Sequence, residues 1–119
     1  MPRKMLKDKI LELVEARQYV TYAEFERFFP EHKEDPPLSR LVHGSVKNII
    51  YWIGMDQEFA DAVAELTVEK LIFMHPTPPL TYLIDGAGLA LPLVKRPPKN
   101  GYEKPHWLPV TFCTHPAYS

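Results

Sequence analysis

Only one cysteine, Cys113, occurs among the 119 residues, so no intramolecular disulfide framework can form. A lone thiol fits a reducing compartment, and Cys113 reads as a small buried hydrophobe. Long apolar runs are missing too: no stretch approaches the ~18 consecutive apolar residues of a membrane span. The N-terminal MPRKMLKDKILELVEARQ interleaves charge with apolar positions where a secretory signal would carry a continuous apolar stretch. These absences predict a cytoplasmic protein with no membrane partner. Neither sign of charge dominates either, since the formal net charge is −1, which excludes the global basicity that by itself announces a nucleic-acid binder.

Catalytic motifs are equally scarce. There is no G-x-S-x-G elbow, P-loop or dinucleotide fingerprint, and Gly86-Ala87-Gly88, without a third glycine and a following helix, reads as a turn. Cys113 could be combined with His106 or His115 and Asp85 as a nucleophile, base and orienter, but no spacing singles them out. The carboxylates fall singly on helix faces, where solvation explains them better than acid–base work. Cys113-Thr114-His115 with His106 offers zinc-type donors, yet no CxxC or HxxxH pair exists. The expectation is a protein that is not an enzyme, with no metal and no cofactor.

What is abundant is proline, 13 residues, which must sit in loops, at strand edges or in extended segments. At this length the default is one core. Leu6, Ile10, Leu13 and Val14 recur at helical spacing and predict an opening amphipathic helix. Thr21 followed by Glu24 is a capping-box pattern for a second helix through Phe25, Phe28 and Phe29. EHKEDPP, residues 31–37, reads as an exposed loop. Val46, Ile49, Ile50 and Ile53, spaced i, i+3, i+4 and i+7 after a Ser45 cap, predict a third helix. Asp56 caps a fourth, with Phe59, Ala60, Val63 and Leu66 inward and Glu58, Asp61 and Glu65 outward. Residues 70–75 and 80–85, rich in β-branched and aromatic side chains around Pro76-Thr77-Pro78-Pro79, predict a β-hairpin. From Ala87 on, prolines forbid a long helix while Trp107, Val110 and Phe112 are too apolar for a free tail. An extended arm is expected, packed on the domain or across a partner, with a strand at 108–113.

The order helix, short extended stretch, helix, then a helix ending Ala62-Val63-Ala64-Glu65-Leu66 and running into a hairpin closed at Tyr82-Leu83-Ile84-Asp85-Gly86 resembles the winged helix-turn-helix family over residues 4–86. The resemblance implies an α+β winged-helix domain, 1–86, followed by a Pro-rich arm, 87–119. It further implies DNA as the partner and a role in transcription regulation or as an accessory factor, with a homodimer as the usual route to affinity. The family's reading helix would be 56–67, whose exposed Glu58, Asp61 and Glu65 repel phosphate. The nominated contacts therefore lie elsewhere: Arg40, Ser45, Lys47 and Asn48 around the preceding helix, and Lys95, Arg96, Lys99 and Lys104 on the arm, interleaved with Tyr102 and Trp107. Residues 38–55 hold two basic and no acidic groups and residues 95–119 four basic and one acidic, so both segments are locally positive. Arg3, Lys4 and Lys7 are a further candidate phosphate clamp. The alternative is a protein–protein interaction module in which the acidic helix 56–67 and the arm meet a protein partner.

Overall fold

A computed structural model describes residues 2–42, 46–95 and 101–116. Its first helix, α1 (Arg3–Arg17), buries Leu6, Ile10 and Val14 along one stripe, as the spacing dictates. Helix α2 (Tyr22–Phe28) starts where Thr21 Oγ1 accepts the Glu24 N–H at 3.1 Å. The reciprocal half of the capping box is absent, because the Glu24 carboxylate instead accepts from Arg17 Nε at 2.6 Å. A short 3₁₀ turn, Pro30–His32, follows. Helix α3 (Gln57–Val68) is capped as expected, Asp56 Oδ1 accepting from the Phe59 N–H at 2.8 Å. It buries Phe59, Ala62, Val63 and Leu66 and packs along α1.

Between α2 and α3 the structure corrects the sequence reading. The predicted helix over 45–53 is strand β2 (Ile49–Ile53), antiparallel to β1 (Arg40–Val42), with Leu41 opposite Trp52 and Val42 opposite Ile50. The run Ile49-Ile50-Tyr51-Trp52-Ile53 is β-branched and aromatic, which suits a pleated surface better than a helix. Asn48 has φ 60°, a left-handed turn that ends any helix before the run begins. Ile49, Ile50 and Trp52 are all buried, so the strand is covered on both faces.

The predicted hairpin over 70–85 is corrected as well. Its first half is β3 (Phe73–Pro76), but residues 80–85 enter a helix, α4 (Pro79–Ile84). The tip lacks the Gly or Asn that a tight hairpin turn needs. Pro78 and Pro79 have no N–H for a ladder, while proline is favoured at the first helical position, which Pro79 occupies.

The second strand for β3 comes from the arm: β5 (Val110–Cys113) pairs with it antiparallel, Phe73 opposite Cys113 and Pro76 opposite Val110. Val20 bridges Phe112 on the other edge of β5. A two-residue strand, β4 (His106–Trp107), lies parallel to β2, giving the order β1–β2–β4 in the first sheet. The fold is therefore α+β, and the segment beyond residue 86 contributes strands to both sheets. Trp107, Val110 and Phe112 belong to the same buried cluster as Leu6, Phe25, Trp52, Phe59 and Tyr82. Among the described residues, no helix is long and apolar enough to cross a membrane.

Candidate functional site

The nominated residues fall into separate places. Lys47 and Asn48 form the turn that enters β2, and this turn is clipped to the segment that enters β4. The Asn48 side-chain amide donates to the backbone carbonyls of Tyr102 and Glu103 at 2.8 and 2.9 Å. The Tyr102 N–H donates to Lys47 O at 3.0 Å, and the His106 N–H to Asn48 O at 2.9 Å. Gly101, at φ 78°, lies so close that a Cβ there would collide with the Lys47 backbone. Lys47 and Lys104 are exposed beside this clip, and the Tyr102 and His106 rings stack at 3.7 Å. Two basic segments whose clipped residues stand 54 and 55 positions apart in sequence are thereby joined. Asn48, nominated for groove contacts, spends its amide on this structural role.

Lys95 is exposed in a bend two residues past an isolated bridge to β4. Leu93 bridges Trp107 in parallel, so Lys95 lies toward the C-terminal end of β4, away from Lys104. Ser45, Arg96 and Lys99 lie outside the described residues. Arg40 is not part of the basic turn. It stands opposite Ile53, at the far end of the β1–β2 pair, and its exposed side chain makes no ion pair or hydrogen bond with any described residue.

The carboxylates of α3 are met from within the molecule. Arg3 pairs with Glu65 and reaches Asp61 at 3.6 Å, and Lys7 lies 2.6 Å from Glu69 and 3.4 Å from Glu65. The hydrogen bond to Glu69 chiefly raises the Lys7 pKa above its ordinary value, against a smaller opposing effect of desolvation. Two members of the proposed N-terminal clamp are thus engaged, and so is much of the acidic face offered to a protein partner.

A feature the sequence reading missed lies on the remaining side of α3. Ala60, Ala64 and Val68 repeat every four residues there, and Val68 is 80% exposed. With Leu41 and Val42 of β1 and Met74 of β3 they wall a groove of about 640 Å³. Tyr22 lines it as well, although only 2% exposed, and its hydroxyl has no hydrogen-bond partner among the described residues. Arg40, Gln57 and Asp61 are the charged and amide side chains of the lining. The legible signal was this second apolar stripe, flanking the core stripe of the same helix; Ala60, expected inward, lies between the two and is only partly buried against the core.

For metal ligation, His32, Asp56 and Glu58 each bring one donor atom within 4.8 Å of the others. Asp56 is already committed twice, capping α3 and contacting His32 Nδ1 at 2.9 Å. The Cys113, His106 and His115 combination does not assemble: Cys113 is buried in β5 and its thiol donates to the His115 carbonyl, while His106 sits in the other sheet. No protein-family model, no curated protein and no solved structure matches this chain.

Proposed function

We propose that the protein binds DNA without catalysis, as a regulator or accessory factor, through phosphate contacts from the basic turn joined by Asn48. The observation that carries this reading is the clip itself, which sets Lys47 beside the segment bearing Lys104 although 57 positions separate the two lysines in the sequence. Clustered lysines neutralise neighbouring phosphates and release counterions, the main source of sequence-independent affinity. Arg96 and Lys99, on the chain joining Lys95 to Gly101, extend the same positive segment. Because the Asn48 amide is occupied, base-edge reading by this turn is not part of the proposal.

A winged-helix scaffold is consistent with the element order: α1, the extended Val20, α2, α3, then two antiparallel strands, with β5 between Val20 and β3. On this reading the second wing strand is β5, the wing is the long connection 77–109, and residues 29–56 are inserted before α3. The protein-docking alternative has less support. Its acidic helix is paired with α1, and its arm strand is paired with β3.

Titration of a labelled duplex at two salt concentrations tests the proposal. Affinity should fall with a log–log slope of about −0.9 per phosphate contacted. Lys47→Glu and Lys104→Glu should each flatten that slope by about one unit and weaken binding equally across sequences. Absence of binding at low salt overturns it.

A further inference from the structure

We propose that the groove between α3 and the β1–β2 pair is a binding site for a small apolar molecule with one anionic group, a medium-chain carboxylate being the simplest example. Its volume of about 640 Å³ falls within the roughly 300–1,000 Å³ of small-molecule sites. The walls are apolar, from Leu41, Val42, Val63, Ala64, Val68 and Met74, so an aliphatic or aromatic body gains by leaving water.

The polar groups define the rest of the ligand. Tyr22 is almost wholly buried, stacked on Trp52 and edge-on to Phe25 and Phe112, yet its hydroxyl has no protein partner among the described residues. The little of Tyr22 that remains accessible lines the groove, so its hydroxyl is available to a ligand oxygen there. Charge separates anion from cation. Asp61 accepts from the Gln57 amide at 2.8 Å and shares Arg3, 3.6 Å away, with Glu65, whereas Arg40 pairs with no described residue. Arg40 is therefore the charged group of the lining left to meet a ligand, and it selects an anion. Arg40 fixes the anionic end, and Tyr22 supplies a polar anchor in an apolar lining. This inference is independent of DNA binding, since Arg40 stands apart from the basic turn.

Isothermal titration of the full chain with decanoate, decanol and decylamine tests it. Decanoate should bind saturably, one per chain, about tenfold more tightly than decanol, as a charge-assisted hydrogen bond predicts. Arg40→Glu, at an exposed position, should abolish that preference with the circular dichroism unchanged. Ala64→Trp, pointing outward from α3, should fill the groove and remove binding, and Tyr22→Phe should weaken it about fivefold. The proposal falls if decanoate does not saturate, if Ala64→Trp leaves its binding intact, or if decylamine binds as well as decanoate. It also falls if sedimentation shows the groove covered by a second copy of the chain.

Discussion

Tyr82 connects three elements through one hydroxyl. It donates to the Val110 carbonyl at 2.6 Å and accepts the Tyr22 N–H at 3.1 Å, tying α4 to β5 and to the start of α2. Burial raises its pKa, with the two backbone hydrogen bonds opposing; burial likewise raises Tyr22 well above its ordinary value and Tyr51 to a lesser degree. The native state favours the neutral phenol, so this stabilisation is complete below the ordinary value near 10 and is lost as pH rises through the folded values. Spectrophotometric titration should therefore show Tyr22, Tyr51 and Tyr82 ionising late, with Tyr22 and Tyr82 titrating together with unfolding. Ionisation of these three near pH 10 without unfolding would contradict the packing. None of this was legible in the sequence, where Tyr82 stood as a strand residue. Asn48 was misread for a related reason: its amide suits a base edge, but an Asn that enters a β-branched run is equally a turn residue able to adopt positive φ.

Caps were legible at the scale of elements because they are local. Thr21 and Asp56 each accept from the N–H three residues on, as their spacing required. Thr21 also donates to Asp85 at 2.7 Å, a contact across 64 residues that no local pattern carries. Thr21→Ala removes both and should cost about 1–3 kcal/mol in urea unfolding, while Thr21→Ser, keeping the hydroxyl, should retain most of the stability. A loss no larger for Ala than for Ser would show that the hydroxyl is idle. The misread elements share a physical cause. Val46, Ile49, Ile50 and Ile53 fit helical spacing, yet a short apolar run buried on both faces has no real period, and β-branching together with the available partner β1 decided it. In 80–85, proline at the helix start outweighed β-propensity because no strand was left for that segment to pair with.

At the scale of the molecule, β5 is the member that closes the fold. It lies between Val20 and β3, and Phe112, fully buried, contacts the rings of Tyr22 and Phe25. The sequence indicated a strand at 108–113 but not its partner, because pairing across some 35 residues depends on which edge remains unfilled once α1, α2 and α3 have packed. The consequence separates a one-core protein from a domain with a detachable arm. If residues 1–86 folded alone, truncation there would leave a cooperative transition. The core predicts the opposite: without Trp107, Val110 and Phe112, β3 loses its partner and Tyr22, Phe25 and Tyr82 lose their cover. Phe112→Ala in the full chain should cost about 3–5 kcal/mol, a large share of the roughly 5–15 kcal/mol that holds a domain of this kind together. Urea unfolding followed by circular dichroism should therefore show a lowered midpoint for Phe112→Ala and no cooperative transition for 1–86, whereas a sharp transition in the fragment would return the arm to the status of an accessory.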